Sequence, residues 1–156
     1  MDGVLTRRQL TMLATLGSAT LMLAALAFQH LGGLAPCQMC IWQRYPHVAA
    51  IATGGATIVL GWGWLTLVGA AAAGTTAAIG FFHAGVEQGW WQGPTACSGG
   101  AIDEMSADDL LDQILTAPLV RCDDIPWEMF GLSMAAWNGV VSLMLCGLWI
   151  LAYRQR

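Results

Sequence analysis

Four long apolar stretches constrain this chain more than any other feature: residues 10–29, 42–60, 65–82 and 132–153. A helix needs about 20 predominantly apolar residues to cross the hydrocarbon core of a bilayer. Only 10% of the 156 residues are charged, against roughly 25% in an average soluble domain. The expected fold class is therefore all-α: a membrane-embedded four-helix bundle forming one integral membrane domain over residues 1–156. Arg7 and Arg8 precede the first stretch in the manner of a signal peptide. Its apolar part is longer than a signal's h-region, so it reads as a retained helix.

The arginines set the orientation, because cytoplasmic flanks of membrane helices carry the excess of basic residues. An even number of crossings puts both ends of the chain on one side. That side carries Arg7, Arg8, Arg154 and Arg156. It is expected to be cytoplasmic, as in a multi-pass protein of the bacterial inner membrane. The opposite side carries a short loop near residue 37 and the long segment 83–131. Nine of the ten acidic residues lie between Glu87 and Glu128, and lysine is absent. With no basic patch to neutralise phosphates, nucleic acid is excluded as a partner.

The turn Gly61-Trp62-Gly63-Trp64 is short enough to make the second and third helices antiparallel neighbours, with tryptophans suited to an interface. The third stretch is rich in small residues, among them Gly69, Ala70, Ala73, Gly74 and Ala77. Small side chains allow helices to approach closely in lipid. In the long segment, Leu110, Leu111, Ile114 and Leu115 share one helical face after a Ser106 cap, with the aspartates largely elsewhere. This predicts a short amphipathic helix lying on the membrane surface.

Chemistry concentrates on the five cysteines. Cys146 sits mid-way along the fourth stretch among leucines and glycine, where a cysteine is an inert packing residue. Cys37 and Cys40 form a Cys-x-x-Cys pair in the break before the second helix, and Cys97 and Cys122 bracket the acidic segment. A four-cysteine zinc site would draw on two close pairs, and only one is present, so no metal site is expected. A static disulfide fits Cys97 and Cys122. It fits Cys37 and Cys40 poorly, because so small a loop adds little stability. Close pairs at a helix start are typically redox-active. The compartment opposite the arginines is oxidising, where disulfides persist.

Arg44 follows Cys40 by one helical turn on the same face. An arginine inside a membrane helix either snorkels to the interface or serves a function. In the functional reading it stabilises a Cys40 thiolate and donates to a carbonyl oxygen. Quinones, membrane-soluble dicarbonyls that take two electrons, fit that description. His83 closes the third helix, with Glu87 one turn on. That pair is suited to handling the protons that quinone reduction consumes.

Pro36-Cys37-x-x-Cys40-x-x-x-Arg44, the later cysteine pair and Trp127-x-x-Phe130-Gly131-Leu132-Ser133-Met134 resemble, in this order, the DsbB family of disulfide-bond formation proteins. The resemblance covers nearly the whole chain. It implies a dithiol:quinone oxidoreductase that reoxidises a periplasmic thioredoxin-like (DsbA-like) thiol oxidase and passes electrons to ubiquinone or menaquinone. Carried over by motif position, Cys97 forms the mixed disulfide with the partner, and Cys122 exchanges with Cys37. Cys40 is then the thiolate beside the quinone, and Arg44, with His83 and Glu87, belongs to the quinone site. The run Glu87-Gln88-Gly89-Trp90-Trp91 receives no role from the resemblance.

Two other readings compete. A vitamin K epoxide reductase type of enzyme also uses four cysteines, but its loop pair precedes the Cys-x-x-Cys, whereas here it follows. A haem- or metal-binding membrane protein would use His30, His47 and His83, which map to one membrane side.

Overall fold

In the computed structural model, which describes residues 5–94 and 120–155, the regular structure is helical apart from one hairpin of two-residue strands. The helices are α1 (Arg7–His30), α2 (Gln38–Leu60), α3 (Leu65–Glu87) and α4 (Met134–Arg154). The strands β1 (Glu128–Met129) and β2 (Leu132–Ser133) precede α4 and pair antiparallel, Glu128 opposite Ser133. Cys97 and the expected surface helix over 108–115 lie outside the described residues.

Local sequence explains each helix end. Thr6 and Gln9 form a reciprocal capping box at the start of α1. The Cys37 sulfur caps α2 by accepting from the Cys40 amide, and Gly61 closes it in the left-handed conformation at φ 71°. Ser133 caps α4 through a 3.2 Å bond from the Ala136 amide, so α4 begins two residues later than the apolar stretch suggests. At the end of α3 the Trp90 amide bonds to the Gly85 carbonyl and the Gly89 amide to the Val86 carbonyl, with Gly89 at φ 69°. These are the two bonds of a Schellman motif. Trp91 then folds back: its indole donates 2.8 Å to the Phe82 carbonyl and lies against Gly85, where any Cβ would strike the ring. Gly89-Trp90-Trp91 thus terminates α3.

The helices pack in cyclic order, α1 on α2, α2 on α3, α3 on α4 and α4 back on α1. Small residues make this close. A Cβ on Gly80 would lie 2.9 Å from the Gly139 backbone, and one on Gly69 would lie 2.6 Å from the Trp149 indole. The expectation that the small residues of α3 serve tight packing holds at these two crossings.

Three helices, α1, α3 and α4, are long and apolar enough to cross a membrane. α2 does not qualify on that measure, because its first three turns carry Gln38, Gln43, Arg44, Pro46 and His47. Gln43 and His47 are buried against the other helices, so the polarity of α2 faces protein. The Arg7 guanidinium donates 2.8 Å and 2.5 Å to the Gln155 carbonyl, which ties the start of α1 to the end of α4. The α2–α3 turn reaches the same end, with Gly63 against Arg7. The cysteines of the described loops gather at the other end.

Candidate active site

At that end α2 and α3 run side by side. Cys37 is 4% exposed, and its sulfur lies 2.7 Å from the Cys40 sulfur. Both are free thiols, as are Cys122 and Cys146. The 120–127 segment lays Cys122, fully buried, over the end of α3. His83 joins them: its Nε2 is 3.6 Å from the Cys37 sulfur and 3.2 Å from the Cys122 carbonyl oxygen. One donor atom from each of Cys37, His83 and Cys122 lies within 4.8 Å of the others. Two cysteines 85 positions apart in sequence thereby have their sulfurs within 4.8 Å of each other, and thiol–disulfide exchange requires an attacking sulfur close to the one it strikes.

The cluster distinguishes the two sulfurs of the pair. The Cys40 sulfur beside it, and then burial, push the Cys37 thiol well above the ordinary thiol range. Cys40 occupies the first turn of α2, where the helix dipole and free amides favour an anion. The negative charge of the reduced pair therefore belongs on Cys40.

A buried chain of amides holds His83. Gln43 donates from Nε2 to the Met39 carbonyl at 3.2 Å and to His83 Nδ1 at 3.0 Å, and its Oε1 accepts from Asn138 Nδ2 at 2.7 Å. Asn138 Oδ1 in turn accepts from His47 Nε2 at 2.9 Å. The pattern leaves the His83 proton on Nε2, pointing at Cys122 and Cys37. Glu87, its side chain 3% exposed, has one oxygen 3.9 Å from that nitrogen and accepts from the Ser133 hydroxyl with the other. Sequence reading singled out His83 and Glu87 but assigned no partner role to Gln43, Asn138 or Ser133. Their signal was a polar residue on an otherwise apolar helix face, which a pattern of hydropathy registers without naming its partner.

Beside the cluster opens a cavity of about 520 Å³. Its walls are apolar, with Leu21, Phe28 and Trp127 among them, and Cys40, Arg44, His83 and Glu87 supply polar points. The Phe28 and Trp127 rings meet at 5.2 Å. Arg44 is steered by Gln29 of α1, whose Oε1 accepts from Nη1 at 2.6 Å. Every expected site residue within the described part thus lies in this cluster or on this wall. The three histidines do not converge: His30 is exposed at the end of α1, while His47 is held by Asn138 and His83 by Gln43. Among the described residues the group able to hold a metal contains His83 alone of the three.

The family model described as "Disulfide bond formation protein DsbB" matches residues 7–152. A protein named Disulfide bond formation protein B from Verminephrobacter eiseniae is 34% identical over 97% of this chain and 88% of its own length. Proteins of the same name from Polaromonas sp. (strain JS666) and Hahella chejuensis are 31% and 28% identical, over 90% and 100% of this chain and 88% and 99% of their own. No solved structure matches the chain. With three helices apolar enough to cross a membrane and a family model that spans nearly its whole length, this chain belongs to the DsbB family of disulfide bond formation proteins.

Proposed function

We propose that this protein is a membrane dithiol:quinone oxidoreductase that reoxidises a periplasmic thioredoxin-like thiol oxidase. The observation that carries the reading is the burial of Cys37, Cys122 and His83 around one point beside a large apolar cavity. In this reading all four helices cross the inner membrane, the chain ends lie in the cytoplasm, and residues 83–131 face the periplasm.

Exchange runs on the chain's own sulfurs. A thiolate of the reduced partner attacks Cys97 in a Cys97–Cys122 disulfide and forms a mixed disulfide, which releases Cys122. The Cys122 thiolate attacks Cys37 in a Cys37–Cys40 disulfide, so a Cys37–Cys122 bond forms and Cys40 leaves as a thiolate. The partner's second thiol resolves the mixed disulfide and departs oxidised, leaving Cys97 as a thiol. Cys97 then attacks Cys122, restores the loop disulfide and returns Cys37. The net result is one disulfide gained by the partner and two thiols held at Cys37 and Cys40. His83 Nε2, between the Cys37 sulfur and the Cys122 carbonyl, is placed to steady the sulfur that carries charge during the exchange.

A quinone fits the cavity: its walls are apolar, and Arg44 is an ionised donor held at the wall by Gln29. When bound, a quinone supplies an acceptor for two electrons and two protons. Arg44 would bind its carbonyl oxygen, Phe28 and Trp127 would flank the ring, and His83 and Glu87 would hold protons close by.

The test is stoichiometric. Purified protein mixed with a reduced thioredoxin-like partner and a short-chain quinone is expected to consume one quinone per partner disulfide formed. Disulfide formation without quinone consumption would overturn the reading.

A further inference from the structure

Spacing in the sequence argues against a zinc site built from four cysteines. The fold assembles a different donor set. Cys37, Cys122 and His83 are respectively 4%, 0% and 3% exposed, and their sulfur and nitrogen atoms lie within 4.8 Å of one another. We propose that in the reduced protein this trio is a binding site for a borderline-soft divalent cation of the zinc type, and that the bound cation arrests disulfide exchange.

The distances suit a tetrahedral ion. With zinc–sulfur bonds of about 2.3 Å and zinc–nitrogen bonds of about 2.0–2.1 Å, two sulfur ligands stand about 3.8 Å apart, and sulfur and nitrogen about 3.6 Å apart. Cys37 Sγ and His83 Nε2 are 3.6 Å apart. Two further donors stand beside the trio: Cys40 Sγ, 2.7 Å from Cys37 Sγ, and a Glu87 carboxylate oxygen, 3.9 Å from His83 Nε2. The cavity that Cys37, Cys40 and His83 line gives an ion a route in.

Binding is not a redox step. The cation displaces the thiol protons of Cys37 and Cys122, which are released to solvent, and both sulfurs remain at the thiol level of oxidation. His83 must offer Nε2 as a bare lone pair, so its proton moves to Nδ1. The Gln43 and Asn138 amides then turn over together, and Gln43 Oε1 accepts a hydrogen bond from the Nδ1–H. Such a partner on the second ring nitrogen is the usual support of a metal-bound histidine. The site exists only while Cys37 and Cys122 are both reduced, because a sulfur in a disulfide is no longer a thiolate ligand. The consequence for the relay rests on the function proposed above; cation binding itself does not.

Cobalt(II) titration of the reduced full-length protein in detergent tests this without an activity assay. The expected result is one cobalt per chain, with a thiolate-to-cobalt charge-transfer band and tetrahedral d–d bands, displaced by zinc. Cys37→Ser, Cys122→Ser and His83→Ala should each weaken binding at least tenfold, and Cys146→Ser should leave it unchanged. The oxidised wild-type protein, a control that needs no substitution, should show no band. A band that survives oxidation, or that Cys122→Ser and His83→Ala leave intact, overturns the proposal, as does the absence of any band in the reduced protein. Quinone reduction measured on the cation-free protein reports separately on the parent function.

Discussion

Among the described residues two buried clusters divide the interior, and they differ in almost every respect. Toward the end that holds Arg7 and Gln155, Trp149 is fully buried among Ala14, Ala70, Ala73 and Leu145. At the other end Cys37, Met39, Val86 and Cys122 form a cluster with His83 against it. The first is packed around glycine and alanine, with Gly69 against Trp149 and Gly17 against Leu145. The second places sulfur, imidazole and carboxylate together and opens onto a cavity. Helices in lipid associate through close van der Waals contact and internal hydrogen bonds, because apolar side chains gain little by leaving lipid for protein. One end of this molecule is built mainly by the first means, and the other invests in the second. Substitutions in the two clusters should therefore have separable effects: chemistry lost with the fold retained at one end, stability lost with chemistry retained at the other.

The largest effect is expected at Cys122. Cys122→Ser should abolish turnover with the thioredoxin-like partner, and a mixed disulfide between Cys97 and that partner should accumulate. Peptide mass mapping of the trapped species checks it. A partner bonded anywhere but Cys97 would reverse the proposed order. Because serine is nearly isosteric, thermal stability of the variant should stay close to that of the parent, in keeping with the exchange role proposed for this cluster.

Arg44→Ala comes next. Loss of one hydrogen bond to a charged group costs about 1.5–3 kcal/mol, so the apparent affinity for quinone should fall roughly ten- to a hundredfold. Partner binding should hardly change. Steady-state kinetics with quinone varied at fixed partner checks it, and an unaltered quinone dependence would remove Arg44 from the site. Gln29→Leu, which takes away the oxygen that steers the guanidinium, should reproduce part of the effect.

At the opposite cluster, Gly69→Leu must drive its side chain into the Trp149 indole, since even a Cβ there lies 2.6 Å from the ring. Overpacking of this kind typically costs about 1–3 kcal/mol. The melting temperature in detergent should fall, while the fraction that remains folded keeps its turnover per molecule. A variant of normal stability that is catalytically dead would join the two clusters into one and break the comparison.

How much of this was legible in the sequence follows the same division. Apolar stretches gave the helices, and the small residues of the third stretch, Gly69 among them, gave the close packing, because both depend on composition over a few turns; the second close crossing, at Gly80, came only from the fold. The pairing of Cys37 with Cys40 was visible for the same local reason. What escaped were contacts between residues far apart: Gln43 with Asn138, Ser133 with Glu87, and the Cys122 carbonyl with His83. A single polar residue on an apolar helix looks the same whether it meets lipid headgroups or a buried amide. The hairpin before α4 was hidden by its turn, where Phe130 and Gly131 both adopt positive φ, at 55° and 74°. A two-residue loop of that type ordinarily advertises itself with asparagine or aspartate before the glycine, and phenylalanine gives no such sign. The polarity of α2 was visible, yet only packing reveals that Gln43 and His47 turn inward.

The smallest effect is expected at Cys146, and it sharpens the comparison because the residue type is the same as at the reactive end. Cys146 packs against the Trp149 cluster, 3.6 Å from the position a Gly74 Cβ would take. It makes no hydrogen bond and has no sulfur, imidazole or carboxylate partner among the described residues. A thiol in such surroundings has no disulfide within reach to attack. Cys146→Ser introduces a hydroxyl into an apolar contact, but a serine within a helix can bond back to the carbonyl four residues earlier, here that of Ser142. The cost should then stay below about 1 kcal/mol, within the range of ordinary single substitutions. Turnover with partner and quinone should match the parent within about twofold. The measurement is a side-by-side assay of the folded Cys146→Ser and Cys122→Ser proteins. If both were inactive, position in the fold would not distinguish one cysteine from another, and the separation of a reactive end from a packing end would fail.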